Sequence, residues 1–528
     1  MHLFIQLNGR FTAKVDRLAR ILQERHGFTK FSGLSTSEGH ARWLQKEKNT
    51  PIRYAHIQAL PELWRKAIAR GKPDAARLTA IESDHGNLWR FIIADRNLGH
   101  CFLTGTILPK TALRRTVGDL DITLSCLQEL FDYFEARFSE DRPDAVFFQV
   151  VASAPALVAA SVCAKFQIPF FTLGKTKFDD RHHLATNALM QPDPVIERYA
   201  DPNLVISDAA RERYEKTVAS GIKQTDHFEA DLRNHAKRHG TPWLPLLWER
   251  LMALPAALKP YDKPYPPDPR AATAFQMWEW ETKVKINFKR LLSAGIFETK
   301  MPVGDYVYLP LNVTPEASTC VVAPQYADQL VVVGALARSL PAGWRLVVKD
   351  HLPMCGRRTQ QFYEYICQFQ NTTLMVPTAH SPTLAKNSRV TAVIAGTSGW
   401  EAMLQGRPVL NFGSAWYLAT GMAHLNTNLN HIDSDLREAV RISESFSPEE
   451  RARRCTRMIQ ALMEGSFPFP YDVMWSRLSP DKLETSLPLF EVLANRIATR
   501  LDRMRHYGWQ DPFDCSPWIS DRTPLSPS

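Results

Sequence analysis

Residues Val390–Gly413 read VTAVIAGTSGWEAMLQGRPVLNFG. Two apolar, β-branched runs, Val390–Ala395 and Val409–Phe412, enclose Gly396-Thr397-Ser398-Gly399 and a helical pattern over Gly399–Leu404. Two similar runs precede them, Arg345–Lys349 and Thr373–Val376, with a helical pattern over Thr359–Gln368 between. Each run is short and bounded by Gly, Pro, Ser or Asn. Strand and helix alternating at this spacing predict a parallel sheet covered on both faces. Ligands of such sheets lie beyond the carboxyl ends of the strands. That edge carries Lys349, Asp350, His351 and Pro353 after the first run, and Gly396 to Glu401 after the third. A strand, then Gly-Thr-Ser-Gly, then a helix start is an anion cradle. The glycines admit close backbone approach, the hydroxyls donate hydrogen bonds, and the helix N-terminus is partially positive.

Upstream, Tyr306–Leu311 reads as the opening strand of the same domain, with Thr314–Ser318 as a loop at its carboxyl end and a helix over Gln325–Leu340. Before it, Pro255, Pro260, Pro264, Pro266, Pro267 and Pro269 crowd a segment that resists regular structure and reads as an interdomain linker. Thr273–Leu292 follows as a helix with Trp278, Trp280, Lys283, Lys285, Lys289 and Arg290. Two readings stay open for it: a helix lying on a membrane surface, or one packed on its own domain with lysines outward. Downstream, Ser447 caps a helix from Pro448 to about Glu464. A last helix, about Leu483–Arg505, is long enough to cross between domains.

The first half repeats the β/α layout without repeating the sequence. His2–Leu7 is a strand, Asn8-Gly9-Arg10 a tight turn, and Phe11 to Leu22 a helix stopped by Gly27. The stretch Pro61–Asp95 is mostly helical, with Leu88–Ala94 open to a strand reading, and it ends in Asp95-Arg96-Asn97. Asp144–Val151, Ser153–Phe166 and Ile168–Leu173 form a β-α-β unit. The polar stretch after it contains Lys175, Asp179 and Asp180, a second ligand-edge signal. His182-His183 has no third ligand in sequence and reads as a solvated pair rather than a metal site. Ser207–Arg238 is highly charged and helical in pattern.

The chain has 528 residues, 45% of them hydrophobic, enough for two or more packed domains. The formal charge of +9 is modest. It fits a slightly basic solvated surface or attraction to an anionic membrane face or acidic glycan. Nucleic-acid binding is not indicated: zinc-finger spacing, RNP-like motifs and dense Arg/Lys stretches are all missing. The eight cysteines are scattered without a C-x-x-C pair, which argues against a disulfide scaffold or zinc site and suits a reducing cytoplasm. No signal peptide or membrane-span pattern is visible, so a soluble or peripheral protein is expected.

The series Tyr306-Val-Tyr-Leu-Pro, Thr314-Pro-Glu-Ala-Ser, Tyr326-Ala-Asp-Gln, Val348-Lys-Asp-His-Leu-Pro, Gly396-Thr-Ser-Gly-Trp-Glu-Ala, Gly406-Arg-Pro-Val and Phe412-Gly resembles the capsule-polysaccharide biosynthesis and export family. Some of its members are Kdo transferases. The resemblance is clearest over roughly residues 300–420. It differs at one point: relatives often place Pro directly after the His, whereas Leu352 stands between His351 and Pro353 here.

The resemblance implies a GT-B fold: two Rossmann-like α/β domains facing each other across a cleft, with a C-terminal helix crossing back. Residues 1–252 would form the acceptor-side domain, 253–299 the Pro-rich linker and connecting helix, 300–475 the nucleotide-sugar domain, and 476–528 the crossing helix and tail. It also implies a glycosyltransferase of capsule or surface polysaccharide, taking a nucleotide sugar (a CMP-activated acid sugar such as Kdo, or a UDP or GDP sugar) to a polysaccharide or glycolipid acceptor. Such an enzyme would sit in the cytoplasm or peripherally at the inner membrane, within reach of a capsule assembly complex.

For the donor phosphate the residues offer Gly396, Thr397, Ser398, Gly399 and Lys349, supported by Arg357 or Arg358, with His351 catalytic. Glu401 and Glu316 suit ribose hydroxyls by analogy with GT-B enzymes, and a first-turn Glu401 also complements the helix dipole. The base is expected from the first domain, with Asp95 first and Asp179 or Asp180 next. Arg96, Lys175, Asp179 and Asp180 would face the acceptor. No cofactor or metal is expected, since helix dipole and basic groups can take a cation's part. Two other readings use the same architecture: CDP-glycerol-type polyol-phosphate transfer or nucleotide-sugar epimerisation, and a non-catalytic glycan-binding assembly factor.

Overall fold

The computed structural model describes the chain apart from residues 9–10, 47–49, 117–118, 177–179, 221–231, 234–236, 238–241, 259–267, 471–472, 474–478 and 515–528. Gly9, Asp179 and Cys515 therefore lie outside the described residues. Two sheets organise the rest. The first contains β1 (His2–Leu7), β2 (Lys30–Ser35), β3 (Tyr54–Ala59), β4 (Ala145–Phe148), β5 (Phe170–Lys175) and β6 (Arg181–Ala185). The second contains β7 (Tyr306–Pro310), β8 (Arg345–Lys349), β9 (Thr372–Met375), β10 (Val390–Val393), β11 (Val409–Asn411) and β12 (His424–Leu425). A short late strand, β13 (Phe467–Pro468), joins the first sheet.

The second sheet is parallel throughout, in the order β12-β11-β10-β7-β8-β9. Counted within the domain this is the 3-2-1-4-5-6 order of a dinucleotide-binding sheet, and its direction of winding reverses between β7 and β10. Along β7, Tyr306 and Tyr308 enter one core while Val307 and Leu309 enter the other. Both faces are buried, which is why these strands read as continuous apolar runs. The first sheet runs β13-β6-β5-β4-β1-β2-β3, parallel from β3 to β5 and antiparallel at β6. Its two faces hold separate cores, one around Phe4, Phe131, Phe134 and Phe148, the other around Leu3, Ile5, Leu22 and Phe171.

The chain is thus a two-domain α/β protein of GT-B type. The last helix, Leu487–Tyr507, returns to the first domain, where Phe490, Leu493, Ile497 and Leu501 form a helical stripe in the core beside the helix Thr12–His26. The return begins earlier than residue 476. β13 already pairs with β6, and Arg181 donates to Ser466 Oγ (2.8 Å) and to the carbonyls of Met463 and Ser466 (2.7 Å each). Sequence assigned Phe467–Pro468 to the second domain because a two-residue strand leaves no periodic signal.

Other local readings shift for physical reasons. Leu88–Ala94 resolves as a helix, Trp89–Ala94. Pro255, the first proline of the expected linker, lies in the last turns of the helix Trp243–Ala257. Most of the remaining linker lies outside the described residues. The tryptophans of the helix Ala274–Ser293 turn inward, Trp278 Nε1 donating to the Arg250 carbonyl (2.6 Å) and Trp280 Nε1 to that of Ile107 (2.8 Å). That helix packs on its own molecule. His182 and His183 are buried, not solvated. Their ring nitrogens bond the carbonyls of Phe469 (2.6 Å) and Met190 (3.0 Å), and burial pushes both imidazoles down to about 4.

Candidate active site

The reversal point of the second sheet gathers most of the predicted donor residues. β10 ends at Val393, and the chain passes through Gly396 and Thr397 into the helix Ser398–Leu404. Thr397 and Ser398 are half-buried, and among the described residues neither hydroxyl has a hydrogen-bond partner. Gly396 borders open space, where the nearest neighbours of an added methyl would be Ser398 N at 3.9 Å and Asn312 Nδ2 at 4.0 Å. Gly399 is different. A methyl there would overlap the Tyr417 hydroxyl, which donates to the Gly396 carbonyl (3.0 Å) and accepts from Asn411 Nδ2 (3.0 Å). Gly399 therefore lets Tyr417 brace the loop, while Gly396 leaves room beside it.

Lys349, at the carboxyl end of β8, is buried beside Asp350 and Glu401. Burial pushes its ammonium down to about 8, and the two carboxylates hold it up against a further fall. Lys349 and Glu401 thus come together across the reversal point. His351 is exposed at the same edge, its backbone N–H donating to Asp350 Oδ1 (2.8 Å).

Asp350 is fully buried and also takes Arg358 Nε (3.3 Å) and the Tyr363 hydroxyl (2.7 Å). Arg358 continues to the Asn312 carbonyl (3.0 Å). It is a buried strut, which corrects its expected part in phosphate binding; Arg357 lies 5.4 Å over the Trp280 ring. Asn312, at the end of β7 and next to Gly396, is the functional candidate that the sequence reading missed. A lone Asn two residues after a strand gives no signal until the strand order brings it beside the loop.

Glu316 is exposed at the start of the short helix Ala317–Cys320 and accepts from Ser318 Oγ (2.9 Å). This turn touches the first domain. Ala317 and Val321 pack into the core that contains Phe91 and Ile92. The Cys320 thiol, raised mainly by burial, senses Arg96 and Asp95. The carboxyl edges of the two sheets therefore meet here.

On the first-domain side, Asp95 and Arg96 border a cleft of about 300 Å³ with Gln6, Asn97, Ser153 and Arg270. Asp95 is buried, and its Oδ1 accepts the N–H of Asn97 (2.8 Å) and Leu98 (3.3 Å). Among the described residues its Oδ2 has only the longer contact to Ala154 N, at 3.4 Å. Arg96 is exposed, and its carbonyl accepts from Arg114 Nε (3.3 Å). Arg114, pushed down to about 10 chiefly by burial, lies near the Asp95 carboxylate. Lys175, at the end of β5, pairs with Asp180, just before β6, at 3.6 Å.

Residues 304–444 match the capsule polysaccharide biosynthesis protein family. This is the family expected from the motif series, and the match spans the whole reversal-point site. No curated protein matches the chain by sequence. Among solved structures, the beta Kdo 2,4 transferase KpsC of Thermosulfurimonas dismutans is 13% identical, with 57% of this chain and 80% of that chain covered and a TM-score of 0.30. The UDP-GlcNAc 2-epimerase of Methanocaldococcus jannaschii is 12% identical, with 84% and 92% covered and a TM-score of 0.22. Anabaena Alr3699/HepE in complex with UDP-glucose is 10% identical, with 95% and 100% covered and a TM-score of 0.29. At these scores the likenesses add nothing to what the strand order already shows.

Proposed function

We propose that the protein is a glycosyltransferase of capsule or surface polysaccharide synthesis, moving a sugar from a nucleotide-activated donor to a glycan or glycolipid acceptor. One observation carries this reading: the Gly396–Ser398 loop, with Lys349 and Glu401 beside each other, lies at the sheet's reversal point, and the Ala317–Cys320 turn of the same domain comes near Asp95 and Arg96 of the other. Thr397, Ser398 and the Lys349 ammonium are suited to a diphosphate or monophosphate leaving group. His351 would add a proton or hydrogen bond at the leaving oxygen. Glu401 and Glu316 would hold the nucleoside, and Asp95 Oδ2 would take the proton of the acceptor hydroxyl. Arg96 would orient the acceptor, with Lys175 and Asp180 on the acceptor side. No metal enters this scheme.

The test is melting of the purified protein with CMP, CDP, UDP and GDP. A nucleotide bound only by the folded state raises the melting temperature with its affinity. We expect one of the four to do so, and the shift to be lost in Ser398→Ala. A rise with CMP alone would make a CMP-sugar the donor. A folded sample that responds to none would sink the transferase reading in favour of a glycan-binding assembly role.

A further inference from the structure

The helix Trp243–Ala257 is apolar nearly all round. Only Glu249 and Arg250 carry charge, and both are taken up by the neighbouring helix Ala274–Ser293. Arg250 donates to Glu281 (3.0 Å), to Thr282 Oγ1 (3.0 Å) and to the Trp278 carbonyl (3.3 Å), while Lys285 pairs with Glu249 at 2.5 Å. Leu246, Arg250 and Ala257 form the buried stripe. The opposite stripe faces solvent: Leu244 is 80% exposed, Trp248 65% and Leu251 57%, with Leu247 and Met252 beside them. A helix this apolar is ordinarily enclosed by a core or a membrane, and an exposed patch of this kind marks an interaction surface.

We propose that this face docks on an anionic lipid bilayer, with the helix lying in the interface plane. The rim supplies the charge. Lys285, Arg250 and Lys237 all act on the Glu249 carboxylate, Arg250 also pairs with Glu281, and Lys289 follows Lys285 one helical turn on. Among these described residues four cations stand against two carboxylates beside an uncharged apolar stripe, on a chain of net charge +9. That combination suits acidic headgroups around a shallow apolar insertion. The helix is tied to its neighbour through Trp278 Nε1 and the Arg250 carbonyl, so the stripe is held ready rather than formed on contact. Among the described residues no helix is long and apolar enough to cross a membrane, and this one spans only fifteen residues, which fits lying in the surface.

Flotation of the full chain with vesicles tests this. Phosphatidylcholine vesicles containing phosphatidylglycerol should carry the protein upward, and pure phosphatidylcholine vesicles should carry much less. Leu247→Glu with Leu251→Glu should cut binding by roughly tenfold or more, since each loses a leucine-sized insertion. Both side chains are exposed, so circular dichroism and melting should be unchanged; Trp248→Gln gives a milder second variant. Three results would overturn the proposal: no flotation with either lipid, equal flotation of the wild type and the double glutamate variant, or a dimer in vesicle-free solution that the variant converts to monomer, which would assign the face to a second copy. Flotation needs neither donor nor turnover, so it stands or falls independently of the transferase reading.

Discussion

Lys349 makes a charge that water would keep to high pH available only up to about 8. The two consequences have opposite signs. Its folded value lies below its unfolded value of 10.5, so the buried ammonium costs stability below about 8, and that cost is relieved as pH rises between the two values. Nucleotide binding should run the other way. Titration calorimetry across about pH 7 to 9 should show affinity falling by roughly tenfold as the ammonium is lost, with Lys349→Met weak and flat throughout. A wild-type profile as flat as the variant's would remove Lys349 from the phosphate site. Asp95 gives the companion prediction. Asparagine can still accept the Asn97 and Leu98 N–H bonds through its amide oxygen, so Asp95→Asn should fold and bind nucleotide. Transfer should drop by roughly 10²- to 10⁴-fold. Transfer at the wild-type rate would move the base elsewhere.

At the scale of the element, the Gly-Thr-Ser-Gly loop separates packing from binding. Gly399→Ala drives a methyl into the Tyr417 hydroxyl and should cost about 1–3 kcal/mol in denaturant unfolding. Gly396→Ala meets no neighbour closer than 3.9 Å and should melt like the wild type, yet lose nucleotide affinity because the methyl enters the ligand's space. Equal affinity in Gly396→Ala would mean the ligand does not approach that backbone.

The same scale shows what the sequence could reveal. β7, β8, β10 and β11 announce themselves because both faces of the sheet are buried, so most positions are apolar and the turn residues stand out. β2 does not, because KFSGLS spends its buried positions on Ser32, Gly33 and Ser35. Gly33 is needed where β1 presses in: a methyl there would meet the Ile5 carbonyl and the Leu7 side chain. The donor loop was legible as a motif. Asn312 was not, nor was its partnership with Asp350 and Arg358, since that arises from strand order and residues 312 and 350 are far apart in sequence.

Across the whole molecule, the two domains are joined at more than the chain crossings. Thr106 bridges Arg358 as an isolated β-pair, with Ile107 N–H donating to Arg357 O (2.7 Å) and Thr359 N–H to Gly105 O (2.7 Å). On the other side Arg181 holds the end of the helix Pro448–Gly465. Closure of the two domains about these joints is expected when donor binds. X-ray scattering with and without donor should show a compact shift; superposable profiles would argue against closure. Arg181→Ala should cost about 1–3 kcal/mol in unfolding and loosen the joint on that side. Unchanged stability would show that the pairing is carried by β13 alone.

The late return of the chain also sets an order of assembly. The core on one face of the first sheet is lined by Phe467, Phe469, Phe490, Leu493 and Ile497, which leave the ribosome after the whole of the second sheet. Vectorial synthesis ordinarily lets an amino-terminal unit fold first. Here that unit must wait, with Leu3, Ile5 and Phe171 uncovered on one side, while the carboxyl-terminal sheet already has all its strands. The domain that begins the polypeptide is the one that finishes folding last.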